Sequence, residues 1–404
     1  MAVTTNENLK VNHIIASKAL QYFVNTLGLA KLADRQYSKD FASNTGATIN
    51  IRKPNRFTSR EGAVANPQAI IERVEPLVCN LITGIDVSTD SLQNTLYIDN
   101  WMERVLRPAM QSMANKVNVN LFATAEKVGT FVGDANSYVN SFARVNAATS
   151  RLRGLGVQNP FYGVYSVKDS EQMQNSLQNS FNEVLNKDIS SDATIGRLAH
   201  QDMHYDQSVK VHVGGVGTGT PAVNGAGQSG FTLVTDGWTA STAGIVQPGD
   251  LFTIAGVYEV NPETRQTTGR LKGFAVDAVA NSGAGGATTI TLSEEIILTG
   301  PYQNVTNAPA DNALITLATN NQGGLTTKNV VFNPDGFVLA TVPLILPRGA
   351  AFKKTIQDPD LGVSMRMIEV YDGLNDVNLL RFDILYGVKC FPEYVVTVLS
   401  KAEE

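Results

Sequence analysis

The stretch NWMERVLRPAMQSMANKVNVNLFA, Asn100 to Ala123, lies in the longest helical pattern of the 404-residue chain. Over residues 97–128, Trp101, Val105, Ala109, Met113, Val117, Leu121 and Ala125 recur every four positions, and Met102, Leu106 and Met110 widen the stripe. That spacing predicts one long helix with apolar side chains on more than one face, packed against several elements. Pro108 has no amide hydrogen to give, so it either kinks this helix or marks its true start.

Upstream, residues 12–33 place Ile15, Ala19, Tyr22, Phe23, Leu27 and Ala30 at helical spacing behind Asn12 as a candidate cap, which reads as an amphipathic arm. Thr48–Arg52 and Leu77–Val87 alternate in the manner of strands. Between them runs FTSREGAVANPQAIIERVEP, a polar connection carrying Arg56 just before it and Arg60, Glu61, Glu72 and Arg73 within it. A connection of this length inside a compact domain is uncommon and usually functional. A two-stranded arm does not hold itself up in water, so it needs another surface to lean on.

Downstream, residues 134–211 mix helical and strand patterns. The composition then changes: residues 213–324 hold 19 of the 34 glycines and 11 charged side chains, with short β-type runs such as FTLVT, DLFTIAGVYEV and GRLKGFAVDAV between Gly, Pro and Asn turns. This predicts an all-β module, barrel or sandwich, inserted into an α/β or α+β host. Beyond residue 325 the strand pattern continues with more charge.

Composition excludes several functions. Lys+Arg 32 against Asp+Glu 37 gives a net charge of −5, the wrong sign for a protein that binds nucleic acid through clustered positive charge. Two cysteines, Cys79 and Cys390, make neither a disulfide scaffold nor a cysteine zinc site. No basic start followed by an apolar run is visible at the N-terminus, and the apolar stretch FVLATVPLILP is too short to span a bilayer.

Two motifs suggest chemistry. GAGQSG, Gly225–Gly230, matches the dinucleotide fingerprint, with Asp250 about twenty residues on where such folds place the ribose contact. It precedes a strand signal, FTLVT, instead of a helix, so no helix N-terminus is available for a pyrophosphate, and the match reads as a link into the β module. AHQDMHYDQSVKVH gathers His200, His204 and His212 with Asp202 and Asp206, but without the H-E-x-x-H pattern, and reads as a polar surface cluster. No nucleophile elbow, phosphate-loop lysine or paired-cysteine constellation occurs. The expectation is a protein with no catalytic residues, no cofactor and no metal.

The order of parts resembles the major capsid protein of tailed phages, the HK97-like fold. The words that carry the resemblance are residues 100–123, similar to the family's spine helix, VFNPDGFVLATVPLILP (331–347), and DPDLGVSMRMIEVYDGLNDVNLLRFDILYGVKCFPEYVVTVL (358–399), similar to its closing strands. VQPGDLFTIAGVYEVNPETRQTTGRLKGFAVDAV resembles the inserted β domain of P22-like coat proteins.

This resemblance implies an α+β chain in six parts. They are an N-terminal arm (1–35), an extended hairpin or E-loop (36–92), a spine helix (93–133), a first axial part (134–212), an inserted all-β barrel-like domain (213–324) and returning strands (325–404). It implies a coat protein assembling through pentamers and hexamers into an icosahedral shell around double-stranded DNA, in the virion, after assembly in the host cytoplasm. Its partners would be further copies of itself, a portal, a scaffolding protein and a decoration protein, with no membrane. Arg56, Arg60, Glu61, Glu72, Arg73 and Phe23 would then contact neighbouring subunits. The readings set against it are a tail-tube or decoration protein, and a metal enzyme using His200 and His204.

Overall fold

Strand Leu325–Phe332 (LTTKNVVF) has every residue after the first buried, although half of it is polar. In the computed structural model of the chain it stands in the interior of a seven-stranded sheet. The structure describes residues 7–41, 46–57, 62–65, 67–90, 102–177, 196–319, 322–358 and 362–403. They divide into two compact units, one of 1–51, 74–121 and 337–389, the other of 52–73, 122–336 and 390–404.

In the second unit, Leu325–Phe332 pairs antiparallel with Val395–Lys401 from Thr326 to Phe332 and, over Val330 to Phe332, with Phe161–Tyr165 on the other side. Phe131–Gly133 adds parallel to Val395–Lys401, and Gln201–Tyr205 adds parallel to Phe161–Tyr165. Helices Phe142–Gly154 and Val167–Leu177 belong to the same unit. Val145, Ala148, Leu152 and Met173 from them join Phe161, Tyr165, Val331, Val396 and Val398 in one hydrophobic cluster.

The polar residues of the central strand are satisfied one by one, as burial requires. Asn329 accepts from the Ser166 amide at 2.7 Å and donates to Asp169 at 2.7 Å. Asp169 is itself buried and also accepts from the Val139 amide and the hydroxyls of Ser166 and Ser400.

Residues 214–319 of this unit are strands and turns throughout. They form two three-stranded sheets. One orders Thr288–Ile296, Gly230–Trp238 and Gly219–Val223; the other orders Thr267–Ala275, Leu251–Val260 and Ile315–Leu317. Val223, Leu233, Trp238, Phe252, Ile254, Phe274, Ile290 and Val305 make a second hydrophobic cluster, with Phe252 and Phe274 stacked at 5.7 Å. One buried ion pair ties this segment to the helical part of the unit. Arg151 of helix Phe142–Gly154 meets Glu259 at 3.2 Å, with side chains only 6% and 2% exposed. Arg151 also donates to the Leu271 and Phe131 carbonyls.

In the first unit a five-stranded sheet orders Phe337–Val342, Val377–Cys390, Ser364–Asp372 and Phe352–Gln357, with Leu81–Asp90 also on Val377–Cys390. Gly84 is required there: a Cβ at this position would lie 2.5 Å from Asp383 Oδ1. The space it leaves admits the buried Asp383 carboxylate, which holds Arg366 and accepts from Arg381 at 2.9 Å.

Three expectations change at this level. The N-terminal helix starts at Glu7, not behind Asn12, and runs to Thr26, where Leu27 and Gly28 separate it from the short helix Leu29–Leu32. Asn12 therefore lies within the helix and cannot cap it; its side-chain amide donates to Glu369 at 2.6 Å. The second hairpin strand is two strands. Val74–Val78 pairs with Thr48–Arg52, and after buried Cys79 the chain resumes as Leu81–Asp90 on Val377–Cys390. The long helix is continuous from Met102: a π-helical stretch, Met102–Leu106, runs straight into the α-helix Arg107–Ala125. Pro108 therefore does not mark a start but stands just past the junction, where its missing amide hydrogen removes a bond to the preceding turn.

Phe23 is 1% exposed, lying on a stripe with Ala16, Ala19, Leu20 and Leu27, all buried. Phe23→Ala should therefore cost the monomer about 3–5 kcal/mol, read as a lowered urea midpoint. Arg151→Ala should cost a similar amount, about 3–5 kcal/mol, by stranding the Glu259 carboxylate in the interior. Arg151→Ala together with Glu259→Ala should recover part of that loss, measurable in the same titration.

Candidate functional site

The charged connection between Thr48–Arg52 and Val74–Val78 is held at its base by main-chain pairing, with the Lys53 amide donating to the Arg73 carbonyl at 2.9 Å. Further along, both legs converge on one aromatic side chain, Tyr302, in the turn after Thr288–Ile296. The Arg73 guanidinium lies 4.4 Å from the Tyr302 ring centroid and that of Arg56 lies 5.8 Å away. Tyr302, 8% exposed, donates its hydroxyl to the Ile71 carbonyl at 2.9 Å. Arg265 braces the turn from below, donating to the Gly300 and Pro301 carbonyls. Burial first, and nearby Arg56 second, draw the Arg265 guanidinium below its ordinary value, although it remains charged.

Arg73, Arg56 and Lys53 each also have an anion. Arg73 meets Glu295 at 3.3 Å, and Arg56 and Lys53 share Glu393 at 3.3 and 3.7 Å. Lys53 also lies 5.7 Å from the Phe391 ring. Glu72 pairs with Arg52 at 3.5 Å, in the open. None of these pairs is deeply buried, so each contributes about 0–1 kcal/mol, and each cation–π contact about 0.5–1 kcal/mol. Their sum makes a weak clasp at the base of the loop. The loop meanwhile shows Phe57, Val64, Ile70 and Ile71 to solvent at 56%, 84%, 69% and 48% exposure.

Of the residues singled out from the sequence, Arg56 and Arg73 are brought together, Glu72 stands beside Arg52, and Phe23 is buried in the other unit. Arg60 and Glu61 lie outside the described residues. Tyr302, which organises the loop, escaped sequence reading because a lone tyrosine in a turn, PYQN, has no periodic or spacing signal.

The two motifs also find their places. Gly225–Gly230 is the turn of a β-hairpin between Gly219–Val223 and Gly230–Trp238, with Gly225, Gly227 and Gly230 at φ of 92°, 79° and 87°. It therefore lies inside the β-rich segment and is not a link into it. His200 sits in a tight turn at φ 64° and His204 on an exposed strand position, its ring 6.0 Å from Tyr162. Among the described residues no group of three or more His, Cys, Asp or Glu side chains is placed to hold a metal ion. His212 parts from the other two histidines and is buried against Asp250, the acid of the apparent fingerprint.

A family model described as P22 coat protein – gene protein 5 matches residues 1–398. None of the curated proteins matches the chain. Among solved structures, one titled Mycobacterium phage Che8 is 12% identical, with 91% of this chain and 89% of that chain covered, at a TM-score of 0.46. The capsid of Ralstonia phage GP4 is 7% identical over 92% and 87%, at 0.47. The CUS-3 coat protein I-domain is 32% identical over 26% of this chain and 98% of its own, at 0.20.

The clasp gives a direct expectation. Arg73→Ala should speed hydrogen exchange at the Lys53 amide about tenfold, the equivalent of roughly 1.4 kcal/mol, while the urea midpoint of the whole protein stays in place. Exchange followed by mass spectrometry reads both.

Proposed function

The chain belongs to the P22 coat protein family and is a phage coat protein, and we propose that it builds an icosahedral shell from pentamers and hexamers around double-stranded DNA. The observation that carries this reading is the family match, which runs over residues 1–398. We read the architecture as the HK97-like capsid fold. Residues 1–35 are the arm, 36–92 the E-loop, 93–133 the spine helix, 134–212 and 325–404 the axial and returning strands, and 213–324 the inserted domain. Support for the last part is its purely β content and its own hydrophobic cluster.

A shell subunit needs a body that keeps its shape and an arm that adapts to different neighbours, because the same chain must close rings of two orders. The loop at 52–73 has the matching properties: a weak polar clasp at its base and exposed apolar residues beyond. We place Arg56, Arg60, Glu61, Glu72 and Arg73 at subunit contacts. The present partners of Arg56 and Arg73 inside the chain, Glu393 and Glu295, are exposed enough to be exchanged for a neighbour's carboxylates. Phe23 can reach a neighbour only if its arm first leaves its own unit. The net charge of −5 suits a container that must not grip its DNA. A portal, a scaffolding protein and a decoration protein complete the proposed partners, with assembly in the host cytoplasm.

Negative-stain microscopy of the expressed protein, with and without co-expressed scaffolding protein, tests the reading: closed shells support it, whereas tubes or discrete trimers would replace it with a tail or decoration role. Arg60→Glu should leave the melting temperature of the monomer unchanged and reduce the yield of shells. A normal yield would remove Arg60 from the contact.

A further inference from the structure

His212 is 2% exposed, yet its ring lies between two carboxylates, with Nδ1 2.8 Å from Glu126 Oε1 and Nε2 2.8 Å from Asp250 Oδ1. Glu126 follows helix Arg107–Ala125, His212 is in the strand Lys210–Val213 that pairs with Leu325–Lys328, and Asp250 closes the turn before Leu251–Val260. The strap thus ties the helix end, the central sheet and the entrance of the β-rich segment. Asp250 is saturated: Oδ2 accepts from the Gln247 and Gly215 amides at 2.7 and 3.0 Å, and Oδ1 also accepts from Thr319 at 2.9 Å. Below lies Lys328, 2% exposed, donating to the Glu126 carbonyl at 3.0 Å and to the Gly249 carbonyl. Lys210, at 3.8 Å from Glu126, completes the charged groups that face the ring.

We propose that Glu126, His212, Asp250 and Lys328 form a proton-gated clasp that fastens the entrance of the β-rich segment to the sheet and opens when its carboxylates take up protons. An ionised carboxylate only accepts, so a ring bonded to two of them must carry a proton on each nitrogen. Two carboxylates, an imidazolium and an ammonium then neutralise one another away from water, an arrangement that tolerates loss of no member. No part of this depends on the chain's role in a shell.

The acid limb has a defined sign. Burial pushes both carboxyls up. For Glu126 the His212 hydrogen bond and the nearby lysines outweigh it; for Asp250 His212, the Gln247 amide and Thr319 do so, and both carboxyls end below their ordinary range. Groups depressed in the folded state stabilise it above their ordinary values, about 4, and that contribution disappears as pH falls through the folded values. Lys328 titrates at the other end, since burial brings it down to about 8 against the pull of Glu126 and Asp250. Acid release therefore reports on the carboxylates alone.

Two measurements on the full-length monomer decide the matter. Nitrogen-15 NMR of the side chains, with His212→Asn to assign the signal, should show both ring nitrogens of His212 protonated at pH 7, where an ordinary histidine is mostly neutral. Glu126→Ala should return the ring to the neutral Nε2–H form, because one acceptor remains. A singly protonated ring in the native protein would overturn the proposal. Between pH 6 and about pH 2.5, a range that runs below the ordinary carboxyl values, hydrogen-exchange protection of the Gly215 and Gln247 amides should drop at least tenfold, while Val330 and Val398 in the central sheet keep theirs. Uniform loss across all four amides, or none at Gly215 and Gln247, would equally overturn it. Both readouts use the native chain, so they stand even if Glu126→Ala does not fold.

Discussion

Much of the second unit depends on one constraint, the burial of charged and polar side chains along Leu325–Phe332 and around it. A central strand of purely apolar residues would gain more from burial alone. This one carries Lys328 and Asn329 in its middle, and each commits the chain to a particular set of neighbours. Asn329 needs Ser166 and Asp169, and Lys328 needs the end of the long helix and the turn at Gly249. A register slip would leave these groups stranded, which costs far more than a mispacked methyl group. Buried polarity here specifies one arrangement among the many that hydrophobic burial would accept.

The same logic explains how a segment with its own hydrophobic cluster stays fastened to its host. Among the described residues, Phe131, Leu251, Ala275 and Leu399 form an apolar cluster between the two. Polar ties do the rest: Arg151 with Glu259, Lys127 with Asp277 at 2.6 Å, Asn261 with the Gly154 carbonyl at 2.7 Å, and the strap through His212. Such ties are directional, and several respond to charge, so the attachment is specific without being a continuous core. The loop at 52–73 is attached differently, by solvent-exposed pairs around Tyr302. The contrast is between a deeply buried fastening and a shallow one, and under the proposed function it is the shallow one that a neighbour's side chains would replace.

Legibility in the sequence followed periodicity. The long helix, the alternation in Thr48–Arg52 and the glycine-rich β segment all have repeating signals, and the structure contains a helix at Arg107–Ala125, a strand at Thr48–Arg52 and only strands and turns over residues 214–319. The first helix shows the limit. Asn12 has the chemistry of a cap, but the helix begins earlier, at Glu7, and the Asn12 side chain bonds instead to distant Glu369. Leu77–Val87 alternates without interruption, yet Cys79 divides it, because its two halves pair with different strands.

The amino-acid order by itself determined the family, the alternation of helical and strand segments, the weak negative charge and the abrupt change to a β-rich composition, since each is a local or summed property of the residues. Tertiary structure alone decided that Tyr302 would receive Arg56 and Arg73, that the acid of an apparent nucleotide motif would hold a buried histidine, and that Lys328 would lie among carboxylates. These meetings join residues tens to hundreds of positions apart. No spacing encodes them; they arise because strand pairing fixes distant segments side by side, and buried charge then accepts only a partner already in reach.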